Sequence, residues 1–260
     1  MFEKNRILQM LEQNQIPLGM QCFTGDPILI EIMGLTGFDW VMLDSEHSGN
    51  NPRAMEPLIR AAECVGLVPF VRVTQANDEA DIHRALEAGA KGIFLPEIDS
   101  VEDVKRAAEA AFYPPKGNRG ICPAVRAAHY NDQTFVDYTT WNNAEIMLVP
   151  MVENPNALAD LEAICAHPDV HMIVFATGDL GFSIGEGMGM LTGPKVSTAY
   201  KGEIYLVTDT DETLLKPGDT AIVKGVNHAW SNKSDKPCMI IGVMVHANPW
   251  PKDQYPAEGL

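Results

Sequence analysis

Four places in the chain carry side chains suited to acid–base or ion chemistry, and each follows a short apolar run. Asp44, Glu46 and His47 lie together in MLDSEHS. A histidine beside two carboxylates can be held in one tautomer and act as a general base near neutral pH. The same cluster also suits a charged surface loop. Arg72 stands near the end of FVRV. A guanidinium buried there needs an anion, either a substrate carboxylate held in bidentate fashion or a neighbouring acid in a structural ion pair. Glu153 closes LVPMVE, and Asp179 lies in FATGDLG. Two carboxylates from consecutive strand ends suit a hard divalent cation such as Mg²⁺ or Mn²⁺, with positions left for substrate oxygens and water. Zinc more often recruits His or Cys. Asp179 is equally a residue type that caps helices.

The elements that position these residues alternate. IPLGMQCF, FDWVMLD, LVPFVRV, GIFLPEI, EIMLVPMVE and VHMIVFAT read as strands, and amphipathic helical stretches such as PRAMEPLIRAAECVG and SVEDVKRAAEAAFYP separate them. Repeated β–α units imply parallel strands with right-handed crossovers. No G-x-G-x-x-G follows the first strand, so dinucleotide binding has no support. The expected fold is α/β, a TIM-type barrel whose strand ends converge on one face at Asp44 to His47, Arg72, Glu97, Glu153 and Asp179. About seven strands are expected before residue 180, with no evident eighth to close the barrel. YPPKGNRG at 113–120 reads as a turn-rich surface loop with two cations.

The texture changes near residue 195. EIYLVT, ETLLK, TAIVKG and CMIIGVMVHA are short alternating runs broken by DTD, KPGD and NKSDKP, the pattern of antiparallel β structure with tight turns. The expected division is a barrel over 1–195, a β segment over 196–248 and a proline-rich tail over 249–260, with GEGMGMLTGPK at 185–195 as the junction.

The chain has 260 residues and a formal net charge of -16. That charge argues against nucleic acid or an anionic membrane as partner, because both need clustered Lys and Arg. It does not exclude an anionic small substrate, since one buried Arg or metal reverses the local field. No apolar run approaches the roughly 18 residues of a membrane span. The N-terminal MFEKNRILQMLEQNQIPLG is charged and amphipathic rather than signal-like, so a cytoplasmic protein is expected. The five cysteines are scattered and read as reduced thiols.

The combination of MLDSEHS, FVRV, EAGAKGIFLPEIDSVEDVKRAAEAAFYPPKGNRG, the MVE strand end and GDLGFSIG resembles the HpcH/HpaI aldolase family over roughly residues 5 to 195, with five elements in the family's order. The resemblance implies a class II pyruvate aldolase acting on a small-molecule 2-oxo acid, a divalent metal (Mg²⁺, Mn²⁺ or Co²⁺) and a homo-oligomer. It implies that His47 is the general base oriented by Asp44, and that Arg72 binds the pyruvate carboxylate and enolate oxygen. Glu153 and Asp179 would be the metal ligands, with Gly178 and Asp179 against the substrate. Glu46 and Glu87 would stand around the ligands rather than among them. Glu46 is inside the matching motif, beside water on the metal, and Glu87 is where the aldolases often carry an Asp near a subunit boundary. Met151 falls where some members carry a Gln, and Ala176-Thr177 replace the family's Gly-Pro. No Schiff-base lysine is required, and Lys91 and Lys105 lie in poor positions for one.

The segment PGDTAIVKGVNHAWSN resembles the second half of a cupin domain, with His228 and Asn232 in H-x-x-x-N spacing, but the first cupin motif is absent. A lone His228 is a weak metal ligand, since a site usually needs three or more protein ligands. The segment is then either a replacement packed on the barrel or one of two incomplete fused domains, and a partner subunit is a candidate to cover any open barrel edge. The leading reading is cleavage of a 4-hydroxy-2-oxo acid to pyruvate and an aldehyde. The alternatives are decarboxylation of oxaloacetate-like acids on the same site, or a catalytically weakened ligand-binding protein.

Overall fold

The computed structural model describes residues 2–50, 52–131, 133–183, 195–201, 203–208, 210–216, 220–223, 228–234 and 239–243. The chain divides into two compact units, Met1–Leu180 and Gly181–Leu260.

In the first unit, helix α1 (Arg6–Glu12) precedes strand β1 (Gly19–Cys22). Then α2 (Pro27–Leu35), β2 (Trp40–Asp44), α3 (Pro52–Cys64), β3 (Val68–Arg72), α4 (Glu79–Ala88), β4 (Gly92–Leu95) and α5 (Val101–Ala111) alternate. After a stretch of turns come α6 (Phe135–Glu145), β5 (Met147–Val152), α7 (Pro155–Ala159), α8 (Leu161–Cys165), β6 (Val174–Phe175) and α9 (Thr177–Ser183). The strands form one parallel sheet in the order β1-β2-β3-β4-β5-β6. Among the described residues the parallel strands number six, one for each of the six apolar runs that read as strands and one fewer than the expected count of about seven, and no strand joins β6 back to β1. No helix among the described residues is long and apolar enough to cross a membrane.

Helices start where the sequence supplies caps. The Asp26 side chain accepts the Ile28 N–H at 2.9 Å, and the Asp78 side chain accepts the Asp81 N–H at 3.1 Å. Gly89 closes α4 at φ 115°, a left-handed conformation that glycine takes without a Cβ penalty.

β3 and β5 are buried along their whole length, as expected for parallel strands covered on both faces. Alternate residues feed two cores. Leu43, Val71, Ile93 and Leu148 pack under the helices, while Met42, Phe70, Phe94 and Val149 face the opposite side. There the rings of Trp40, Phe70 and Phe94 meet at centroid distances of 5.7 to 5.8 Å. Ile7 of α1 is fully buried in the same cluster and plugs the end at which the strands begin. Gly92 makes room for this packing, since a Cβ there would lie 2.4 Å from the Phe70 ring.

The YPPKGNRG segment is a surface turn, as expected, but Tyr113 and Arg119 anchor it from the buried side. Arg119 is buried, donates to Asn142 Oδ1 at 2.9 Å and lies over the Tyr113 ring at 4.7 Å. Lys116 pairs with Asp169 and covers the Phe112 ring. Both cations fasten the turn, to α6 and to the chain before β6, although Arg119 Nε and Nη2 are buried with no hydrogen-bond partner among the described residues.

The second unit is antiparallel, as its alternating pattern predicts. Strands β7 (Lys195–Lys201), β8 (Ile204–Thr208), β9 (Glu212–Leu215), β10 (Thr220–Val223), β11 (His228–Ser231) and β12 (Met239–Val243) form two three-stranded sheets, β10-β7-β12 and β11-β8-β9. β7 and β11 arise where no separate strand was expected, because their partners β8, β10 and β12 offer edges to pair with. Ile204 and Leu215 are buried, with Leu206, Ala221 and Trp230 against them. Asn232 Oδ1 accepts the Ser234 N–H at 3.0 Å and its hydroxyl at 2.8 Å, which is turn-forming work. The His228 side chain, most of the junction (residues 185–194) and the tail at 249–260 lie outside the described residues.

Asn142 is fully buried and holds both Arg119 and the Ala111 carbonyl, the latter at 3.1 Å. Asn142→Ala strands both groups, so it should lower stability by about 2 kcal/mol. Urea denaturation should show a lower midpoint at unchanged slope; an unchanged midpoint contradicts the fastening role.

Candidate functional site

Asp44 ends β2 and Arg72 ends β3, and the parallel register sets the two side by side. Asp44 is fully buried. Its Oδ1 accepts Arg72 Nε at 2.7 Å and the Glu46 N–H at 3.1 Å, while Oδ2 accepts the His47 N–H at 3.0 Å. One carboxylate therefore aims the arginine and folds the loop that follows β2. Serine hydroxyls complete the turn. Ser48 Oγ donates to the Asp44 carbonyl and Ser45 Oγ to the Arg72 carbonyl, each at 2.5 Å. Asn50 Nδ2 reaches the Asp44 carbonyl at 3.1 Å.

Arg72 is 5% exposed. Its Nη1 lies 3.0 Å from Glu46 Oε2, yet that oxygen receives no hydrogen bond, so the contact is one of charge rather than of alignment. Its Nη2 is buried and has no hydrogen-bond partner among the described residues. A buried guanidinium nitrogen without an acceptor is costly and invites an anion.

His47 differs from expectation. Asp44 bonds to its backbone, and the acid near its imidazole is Glu46, with Nε2 3.6 Å from Oε2. The imidazole side chain is 63% exposed, which leaves it open to a ligand or water.

Glu153 follows β5 and is buried, and its Oε2 accepts the Glu97 N–H at 2.9 Å. Burial pushes the Glu153 carboxyl above its ordinary range. The Glu97 N–H opposes that shift, and the charges of Glu46 and Asp179 add to it. Burial also pushes Glu46 up, against the pull of Arg72. Asp179 is exposed in the first turn of α9, two residues inside the helix rather than at its cap, where the helix N-terminus favours a carboxylate. Gly178 beside it is half-buried. Met151 is buried in the inner cluster, and Ala176 packs against the same cluster.

Glu87 lies elsewhere. It is in the last turn of α4, and a helix that follows β3 runs back along the sheet, so this end sits where the strands begin. Its charge acts on Tyr113 and Tyr138, beside Arg119, and not on the carboxylates above. Lys91 precedes β4 and covers the Trp141 ring at 4.3 Å, and Lys105 is paired with Glu102 on α5.

Among the described residues no group of three or more His, Cys, Asp or Glu is arranged to hold a metal ion. Glu153 and Asp179, within each other's electrostatic reach, form a two-carboxylate donor set. That set fits a hard cation which keeps several waters.

Sequence reasoning missed what four residues contribute. Ser45, Ser48 and Asn50 are turn-forming types directly after a strand-end Asp, a signal that was present. The Glu97 contribution is a backbone N–H presented at φ 52°, which no side-chain pattern encodes.

The raised Glu153 carboxyl has a stability consequence. Its contribution is fully present below the ordinary glutamate value and is lost as pH rises through the raised folded-state value. With chelator present, Glu153→Gln should therefore raise the melting temperature near neutral pH, and the gain should vanish toward about pH 4. A melting difference that is the same at both pH values contradicts the assignment.

The HpcH/HpaI aldolase/citrate lyase family profile matches residues 19–203. The chain is 34% identical over 171 residues to the 2-dehydro-3,6-dideoxy-6-sulfogluconate aldolase of Pseudomonas putida, covering 66% of each chain. It is 30% identical over 195 residues to the 5-keto-4-deoxy-D-glucarate aldolase of Shigella boydii, covering 75% of this chain and 74% of that one. A HpcH/HpaI aldolase/citrate lyase family protein from Burkholderia cenocepacia superposes with a TM-score of 0.67 at 28% identity, covering 72% of this chain and 74% of that one. With the match spanning well over half of its length, the chain belongs to the HpcH/HpaI aldolase/citrate lyase family.

Proposed function

We propose that the protein is a divalent-metal-dependent aldolase that cleaves a 4-hydroxy-2-oxo acid to pyruvate and an aldehyde. The carrying observation is the buried Arg72 Nη2, which has no acceptor among the described residues. Asp44 holds Nε of the same planar guanidinium and Glu46 lies at Nη1, which leaves Nη2 as a fixed donor for an oxygen of a carboxylate. Relatives that are aldolases support the reaction class.

Glu153 and Asp179 are the residues that would hold the cation, which supplies positive charge to stabilise an enolate when bound. The crowding of Glu46, Glu153 and Asp179 supports this, because a cation relieves the repulsion that adds to burial in pushing Glu153 up. Arg72 anchors the carboxylate of the 2-oxo acid and so fixes the orientation of the carbonyl. His47 takes the proton from the 4-hydroxyl. The C3–C4 bond then breaks, its electron pair passes into the enolate of pyruvate, and the aldehyde leaves. Protonation at C3 completes pyruvate. Glu46, 3.6 Å from His47 Nε2, stabilises the imidazolium formed in the first step.

Decarboxylation of oxaloacetate would use the same enolate stabilisation without a base, so it is separated by experiment. Pyruvate release from a panel of 4-hydroxy-2-oxo acids with Mg²⁺ or Mn²⁺ should be lost with EDTA and fall about 10²- to 10⁴-fold in His47→Ala. Undiminished release in His47→Ala contradicts the base, and EDTA-insensitive release contradicts the metal. CO₂ from oxaloacetate with no retro-aldol turnover would select the decarboxylase. No turnover of any substrate would leave the ligand-binding alternative.

A further inference from the structure

Glu97 follows β4 and is brought into the site by its backbone, whose N–H donates to Glu153 Oε2 at 2.9 Å. It does so at φ 52°, in the left-handed region that disfavours a residue with a Cβ. A glycine would present the same N–H with less strain. The N–H therefore explains the backbone conformation but not the glutamate side chain. That side chain is exposed, so neither packing nor burial explains it either.

Its surroundings give it a charge role. The charges that Glu46 and Glu153 feel most are those of Arg72, His47 and the carboxylates Asp44, Glu46, Glu97 and Asp179. Arg72 is the permanent cation in that set, and it is engaged by Asp44 at Nε and Glu46 at Nη1. Once a 2-oxo acid takes the remaining nitrogen, Nη2, a second anion on the substrate meets negative charge. A hydroxylated tail, by contrast, can donate hydrogen bonds to an exposed carboxylate.

We propose that Glu97 sets the substrate class, turning away 4-hydroxy-2-oxo acids whose tail ends in a second anion and admitting those with an uncharged, hydroxylated tail. This rests on the aldolase reading and adds the chemistry of the tail to it. In this reading Glu97 faces the part of the substrate that leaves as the aldehyde and moves no proton.

The test compares kcat/KM for a neutral-tailed 4-hydroxy-2-oxo acid and the 4-hydroxy-2-oxo diacid of equal length, using the full chain with Mg²⁺. The wild type should favour the neutral tail. Glu97→Gln should raise the diacid-to-neutral ratio about fivefold, the scale of one partly exposed charge contact, and mainly through the KM of the diacid. Added salt should narrow the gap in the wild type and leave the variant unmoved. Glu97→Gly, which suits the backbone and keeps the N–H on Glu153, should shift the ratio in the same direction. A ratio that is the same in all three proteins overturns the proposal, as does an equal loss on both substrates, which would make Glu97 structural. A wild type that cleaves neither acid overturns the aldolase reading and this proposal with it.

Discussion

The site depends on one buried ion pair. Arg72 and Asp44 stand at neighbouring strand ends, 2.7 Å apart from Nε to Oδ1, with almost no solvent on either. Removing two charges from water costs several kcal/mol per ion, and that cost is recovered only when the remaining donors and acceptors are satisfied. On the Asp44 side they are, because the carboxylate also receives the N–H groups of Glu46 and His47. On the Arg72 side they are not. A pair made for stability alone would be replaced by apolar packing at little loss. An incompletely satisfied pair makes sense when its open edge is filled by a ligand.

The rest of the fold serves to keep that edge in place. Parallel strands in sequential order put successive carboxyl ends beside one another, so residues far apart in sequence become neighbours. The aromatic packing of Trp40, Phe70 and Phe94 spans β2, β3 and β4 and fixes their relative heights. The serine and asparagine bonds after Asp44 then hold the loop that bears Glu46 and His47. On the far strands the same logic is electrostatic. Glu153 is buried by β5, steadied by the Glu97 N–H, and strained by neighbouring negative charge in a way that a cation would relieve.

Much of this arrangement was legible from residue types and spacing. Short apolar runs ending in Asp44, Arg72 and Glu153 mark strand ends, and polar groups at strand ends of a parallel sheet converge. The parts that were not legible share a cause, which is that sequence spacing does not reveal partners. Asp44 and His47 are close in sequence, which suggested a carboxylate–imidazole pair, yet the turn directs the Asp44 carboxylate at backbone N–H groups and at Arg72. Glu87 sits in a matching stretch but belongs to the opposite end of the sheet, because the helix carrying it runs backwards. Arg119 and Lys116 looked like surface cations until Asn142 and Asp169, more than twenty residues away, appeared as their partners.

In the proposed reaction Arg72 Nη2 receives the carboxylate of a 2-oxo acid. That contact is tested most directly by calorimetric titration of pyruvate, with Mg²⁺ present, into the wild type and Arg72→Lys, which keeps the charge and removes the planar fork. The account predicts that pyruvate binds the wild type and that the variant binds it at least about tenfold more weakly, because an ammonium cannot hold Asp44 and present a matched donor edge together. Equal affinity in the two proteins would contradict it.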